Sequence, residues 1–177
     1  MKAPPLLPEE AFYRTTRVAN VDGLCVMAIA GMLALAAASG GNWVGTMIGL
    51  AVAAAGAIEL HGVSLLRAGR AEGMKWLIAS QPYLCAVLLA YCAWRLSAPD
   101  LTELKLAMTS QLREQIAATG WEEEAFLGFA YRMTYTALAI GTLVYQGWMT
   151  VYFLRRKDAV IEAVGGAETE EEEADEA

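Results

Sequence analysis

Apolar residues along the chain are gathered into four long blocks, which alternate with shorter polar connections. An α-helix needs about 20 consecutive apolar residues to cross the roughly 30 Å hydrocarbon core of a bilayer, and each block meets that length. The pattern therefore predicts an all-α polytopic membrane protein, a four-transmembrane-helix bundle with an extra amphipathic helix between spans 3 and 4. The predicted spans cover residues 18–38, 43–66, 76–96 and 124–155.

The end of the first block resembles a signal-peptide cleavage site, with the residues Ala36-Ala37-Ala38-Ser39. The apolar region of a signal peptide is only about 7–15 residues long. Because this block is longer and contains Asp22, we expect a retained span, with cleavage as the alternative. The connection at residues 39–42 is so short that spans 1 and 2 should form an antiparallel hairpin.

The only long polar connection precedes the fourth block. Asp100 and Glu103 have the spacing of a helix-capping pair, and apolar residues then recur every three or four positions, as on one face of a helix. These apolar residues are Leu101, Leu104, Met108, Leu112 and Ile116. We expect an amphipathic helix over about 100–119, which Gly120 ends.

The net charge of −7 comes from the C-terminal end of the chain. Residues 162–177 contain eight acidic residues and no basic one, which leaves twelve acidic against thirteen basic residues elsewhere. Such a composition buries too little apolar surface to offset the entropy of ordering, so we expect an acidic disordered tail over 158–177. Residues 1–17 should form a cytoplasmic lead to a transmembrane domain of 18–157. No basic stripe indicates nucleic-acid binding.

Basic residues lie mainly on one side of the predicted spans, which sets the orientation through the positive-inside rule. Nine lie on the side of the two termini and the connection at 67–75, and four lie on the side of the long connection. We therefore expect both termini in the cytoplasm and the amphipathic helix outside. The expected location is the inner membrane of a bacterium, with the lipid bilayer as the first partner.

Residues that build catalytic or metal sites are scarce in this sequence. The chain has one histidine, His61, and its three cysteines lie in apolar blocks without a CxxC spacing. Free cysteine packs as a small apolar residue. No GxSxG, HExxH, Walker A or Rossmann glycine motif is present. We expect no enzymatic activity, no metal site and no cofactor.

Each predicted span carries one polar side chain at a similar depth. Counting 1.5 Å per residue from the cytoplasmic span ends places Asp22, Glu59, Gln81 and Gln146 about 6–12 Å into the membrane. Ionisable residues are costly there and often functional, so these four form a candidate intramembrane polar layer. The alternative is structural, with a protonated glutamate that is hydrogen-bonded between helices.

Glycines share one face of span 2 with Glu59. Steps of three and four residues connect Gly45, Gly49 and Gly56 with Glu59, as expected for one stripe of a helix. Small residues let two membrane helices approach closely. We therefore expect this stripe to pack against another helix, and Glu59 to face protein and not lipid.

Two functional hypotheses remain open. The first is a non-enzymatic, oligomeric bundle that conducts or senses an ion or a small solute through the polar layer. Four short spans enclose little space, so a pore would need further copies of the chain or a partner membrane protein. The second is a membrane scaffold or accessory subunit that acts through its external helix and acidic tail. Fold alone does not decide between them.

Overall fold

The computed structural model describes the backbone of residues 7–175 and the side chains of residues 7–165 other than 103 and 107. This part of the chain is all-helical, as the hydrophobic pattern predicts. Its helices, in chain order, are α1 (Pro8–Ser39), α2 (Trp43–Arg67), α3 (Gly73–Ser97), α4 (Thr102–Ala107), α5 (Ser110–Ala118) and α6 (Glu123–Asp175).

Four of these helices are long and apolar enough to cross a membrane, which confirms the predicted number of apolar helices. They are α1, α2, α3 and the Glu123–Gly165 part of α6. Only 17–28 % of each helix's most apolar window is buried within the chain. Most of this apolar surface therefore needs lipid or another protein to cover it, because soluble monomers rarely expose large apolar patches.

Helix α1 begins at Pro8, inside the segment that the sequence predicted to be a lead. Proline is favoured in the first turn of a helix, because its missing N–H would have no partner there. Glu9 and Glu10 follow in that turn, where the helix dipole favours acids. Ala11 and Thr15 are buried, so this first part of α1 packs against other residues of the chain.

The α1–α2 connection is a tight turn, as the sequence predicted. Gly41 has a φ of 73°, a left-handed conformation that glycine adopts without strain. The Asn42 side chain then caps α2 by accepting a hydrogen bond of 2.9 Å from the N–H of Gly45. The two helices pack against each other along their length.

The long connection contains two short helices instead of the single helix predicted over 100–119. Met108 is extended, and the Thr109 hydroxyl caps α5 by accepting a hydrogen bond from the N–H of Leu112. A threonine that bonds the backbone in this way competes with continuation of the preceding helix. Asp100 accepts a hydrogen bond of 2.9 Å from the N–H of Thr102, and this bond holds the pKa of Asp100 below its usual value.

The chain divides into two compact units, one of residues 1–87 with 145–177 and one of residues 88–144. The first unit has a core to which α1, α2, α3 and α6 all contribute. Its buried apolar residues include Ala19, Val63, Leu77, Phe153 and Val160.

The second unit is organised around Arg95, near the end of α3. The Arg95 guanidinium lies 5.3 Å and 5.4 Å from the ring centres of Tyr131 and Tyr135. Its Nε donates a hydrogen bond of 3.1 Å to the Tyr135 hydroxyl. Lys105 and Glu124 form an ion pair that joins α4 to α6. These contacts satisfy Arg95 within protein.

The first residues of the predicted disordered tail, 158–165, belong to helix α6. Helix α6 continues through residues 158–165, where Val160 and Val164 are buried in the core of the first unit. Their spacing of four residues places both on one helix face, which keeps this segment packed. The rest of the predicted tail, residues 166–177, lies outside the residues whose side chains are described.

Candidate functional site

Small residues bring α1 and α2 close together beside the candidate site. A Cβ atom added at Gly56 would lie 2.6 Å from the carbonyl oxygen of Gly23 and 2.8 Å from the backbone N of Met27. A Cβ atom at Gly49 would lie 2.8 Å from the Cβ of Ala34. A Cβ atom at Gly45 would come within 3.2 Å of the Ala37 Cβ. All three glycines of the stripe thus face α1.

This close approach sets two carboxyl groups next to each other. A Cβ atom on Gly23, the neighbour of Asp22, would lie 3.3 Å from the Cβ of Glu59. The carboxyl groups of Asp22 and Glu59 lie within hydrogen-bonding reach of each other. Glu59 is only 2 % exposed, whereas Asp22 is half-buried.

Two further side chains complete the arrangement. Gln81 of α3 is 1 % exposed and donates a hydrogen bond of 3.2 Å from Nε2 to Oε1 of Glu59. The hydroxyl of Tyr145 in α6 donates a hydrogen bond of 2.7 Å to Oδ1 of Asp22. Tyr145, Asp22, Glu59 and Gln81 thus form a connected line, which we call the carboxyl cluster. It draws one side chain from each of the four long helices.

The carboxyl cluster can hold a proton between two oxygen atoms. An ionised carboxylate only accepts hydrogen bonds, so Asp22 and Glu59 can bond to each other only when one of them is protonated. Two carboxyl groups that share a site disfavour the doubly ionised state in general, because like charges repel. Oδ2 of Asp22 is buried without a hydrogen-bond partner among the described residues, so this oxygen can accept a hydrogen bond from a protonated neighbour.

The structure brings together three of the four residues of the predicted polar layer. Gln146 is buried, but its Oε1 has no hydrogen-bond partner among the described residues, and the bonds of the carboxyl cluster do not include it. Its neighbour Tyr145 takes part instead. The depth argument selected Gln146 and passed over Tyr145, the preceding residue. It also passed over Gly23, whose position next to Asp22 was the available signal.

Metal binding and histidine chemistry receive no support from the described side chains. Those side chains contain no group of three or more histidine, cysteine, aspartate or glutamate residues arranged to hold a metal ion. His61 packs edge-on against the Trp76 ring, with 5.3 Å between the ring centres. We interpret His61 as a packing residue. Among the described side chains, the carboxyl cluster is the strongest candidate for chemistry.

Comparison with known proteins provides no relative for this chain: no protein-family model, no curated protein and no solved structure matches it. Function must therefore be inferred from the carboxyl cluster and its surroundings. Two features of the cluster bear on function, the proximity of the Asp22 and Glu59 carboxyl groups and the hydrogen bond from Tyr145 to Asp22.

Proposed function

We propose that this chain is an oligomeric protein of a bacterial cytoplasmic membrane, in which the carboxyl cluster binds and passes protons. Helices α1, α2, α3 and α6 cross the bilayer, and both termini lie in the cytoplasm. The observation that carries the proposal is the proximity of the half-buried Asp22 carboxyl group to the buried Glu59 carboxyl group, between apolar helices. Intramembrane carboxyl groups of this kind commonly mark ion or proton pathways.

The distribution of exposed residues supports the membrane location. The long helices expose large apolar side chains such as Leu35, Met47 and Val144. In water these side chains would favour aggregation, whereas in a bilayer they meet acyl chains. Trp43 and Trp76 are also exposed at the beginning of a long helix, where tryptophan is enriched at membrane interfaces.

The bonding of the carboxyl cluster supports a proton as the passenger. Tyr145 is 47 % exposed and bonds to Asp22, which contacts the buried Glu59. A hydroxyl group and two carboxyl groups in a line can each accept a proton on one side and release one on the other. The exposed apolar faces of α1 and α2 provide the surface on which further copies of the chain assemble into a path.

A second candidate function is that of a membrane scaffold. It is favoured by Leu106 of α4, whose side chain is 82 % exposed outside the predicted spans. The ion pair of Lys105 with Glu124 holds this helix to α6, and an exposed aliphatic side chain on a held helix can dock into a pocket of a partner protein. In that case the carboxyl cluster would serve only as a hydrogen-bonded contact between helices.

Proton flux in proteoliposomes separates the two functions. With a pH difference across the membrane, wild-type protein should speed the collapse of that difference, and Glu59→Gln should abolish the effect because the amide cannot take up and release a proton. The matched control is Glu72→Gln, which removes an exposed carboxyl group that pairs with Arg70 in the α2–α3 connection. Flux that is equal in wild type and Glu59→Gln would contradict the proposal and favour the scaffold.

A further inference from the structure

A small pocket lies on α6 and begins at Trp148, about one helical turn after Tyr145 of the carboxyl cluster. It has a volume of about 270 Å³ and is lined by Trp148, Val151, Tyr152, Arg155 and Arg156. Steps of three and four residues put these side chains on one helix face. We call this the arginine pocket. Its volume lies just below the range of about 300–1,000 Å³ typical of small-ligand sites.

Arg156 carries a positive charge that no ion pair among the described residues matches. Its guanidinium lies 3.7 Å above the ring centre of Tyr152, which fixes its position. Its Nη1 is buried without a hydrogen-bond partner among the described residues. Leaving a buried donor of a charged group unpaired is unfavourable. An anion in the pocket would remove that penalty.

Charges around Arg156 strengthen this requirement for an anion. Arg14 of α1 lies near enough to repel Arg156, and Arg155 directly precedes Arg156 in the sequence. The acidic neighbour Glu10 pairs with Arg14. Among the described residues, no ion pair satisfies Arg156 in the same way. Arg155 and Arg156 thus line the same pocket, and neither forms an ion pair within the described part of the chain.

The other end of the arginine pocket is apolar. Trp148 is 73 % exposed, and Val151 is also exposed. Eight residues separate Trp148 from Arg156, which corresponds to about 12 Å along the helix. The pocket is therefore cationic at one end and apolar at the other, in the direction of the proposed membrane normal.

We propose that the arginine pocket binds an anionic phospholipid, with its phosphate against Arg156 and Arg155 and an acyl chain along Val151 and Trp148. The proposal rests on the membrane location proposed above. Basic pockets at the cytoplasmic ends of membrane helices suit such headgroups, whereas phosphate in solution would leave the apolar end unused.

Native mass spectrometry of the full-length protein, released from neutral detergent micelles, tests the proposal. The probes are phosphatidylglycerol, phosphatidylcholine and inorganic phosphate. We expect phosphatidylglycerol to be retained at least about tenfold more than phosphatidylcholine, and Arg156→Gln to remove about tenfold of that preference. The control Arg67→Gln removes an exposed arginine at the end of α2, on the same proposed side, and should change nothing.

Three outcomes would overturn the proposal: equal retention of the two lipids, equal losses in Arg156→Gln and Arg67→Gln, or displacement of phosphatidylglycerol by inorganic phosphate. Trp148→Ala provides a second variant that leaves every charge in place and alters an exposed side chain. It should lower retention several-fold, and unchanged retention would refute the apolar half of the site.

The lipid site and the proposed function fail in different ways. If the wild-type protein conducts protons but shows no preference for phosphatidylglycerol over phosphatidylcholine, only the lipid site is refuted. Absence of the protein from the membrane fraction of cells would refute the membrane location and, with it, both proposals.

Discussion

Replacement of Gly56 by alanine should loosen the contact between α1 and α2. The added Cβ would lie 2.6 Å from the Gly23 carbonyl oxygen, 2.8 Å from the Met27 backbone N and 3.0 Å from the Met27 Cβ. Favourable contacts between carbon atoms lie at about 3.5–4.0 Å. Two of the three opposing atoms belong to the backbone and cannot rotate away, so the helices themselves must move apart.

The size of the effect follows from two opposing contributions. Inserting an extra carbon into a tightly packed contact costs about 1–3 kcal/mol. Replacing glycine by alanine within a helix returns up to about 1 kcal/mol through helix propensity. We therefore expect Gly56→Ala to lose about 1–2 kcal/mol. At roughly 2–4 °C per kcal/mol for a chain of this size, Tm should fall by about 2–8 °C.

Gly31→Ala in α1 is the matched control, because a Cβ atom there would have no heavy atom within 4 Å. Its stability should equal or slightly exceed that of wild type. Thermal unfolding in neutral detergent, followed by near-ultraviolet circular dichroism, measures all three proteins. If Gly56→Ala melts at or above the temperature of Gly31→Ala, the close contact between α1 and α2 is refuted.

Three further predictions concern stability, titration and orientation. Glu59→Leu should lower the free energy of unfolding by about 1–3 kcal/mol, because it removes one of the two acceptors of the buried Gln81 amide and leaves only the Ser80 hydroxyl. Glu59→Gln should melt close to wild type, and equal melting of both variants would contradict the cluster. The pKa of Asp100, followed by NMR, should lie below that of an ordinary aspartate, so its hydrogen bond to α4 is lost only as the pH falls through that lowered pKa. Thr102→Pro should raise the pKa of Asp100, because it removes the N–H donor. An unchanged pKa would refute this cause. A cysteine in place of Ser110 should react with an impermeant thiol reagent in intact spheroplasts, and reaction only in inverted vesicles would reverse the proposed orientation.

The long helices could be predicted because the length of an apolar block is a local property of the sequence. Blocks of about 20 apolar residues have few alternatives to a helix in a membrane. The stripe of Gly45, Gly49 and Gly56 was also visible, because helical periodicity alone assigns residues to a face. The partner of that face was not visible, since periodicity does not identify which helix covers it.

Other features depend on contacts that a linear pattern does not contain. The break between α4 and α5 arises because Thr109 caps α5. The apolar spacing of this segment continues across the break and therefore does not predict it. The start of α1 at Pro8 depends on burial of Ala11 and Thr15 by the rest of the chain. Tyr145 joins the carboxyl cluster through a partner more than a hundred residues away in sequence.

Equal depth of the polar side chains was a useful but incomplete guide. It selected Asp22, Glu59 and Gln81, which do meet, and it also selected Gln146, which the hydrogen bonds of the cluster leave out. Depth fixes only the position along the membrane normal. The rotation of each helix decides which side chains meet, and one residue of rotation replaces Gln146 by Tyr145.

The most direct test of the proposed proton site is reaction of the protein in liposomes with an apolar carbodiimide. Such reagents attack protonated carboxyl groups that lie in apolar surroundings, which is the state that the contact between Asp22 and Glu59 requires. Peptide mass spectrometry should locate the adduct on Asp22 or Glu59 at neutral pH, and proton flux should fall in proportion to the labelled fraction. Labelling elsewhere with both residues unmodified, or complete labelling of the pair with flux unchanged, would contradict the account.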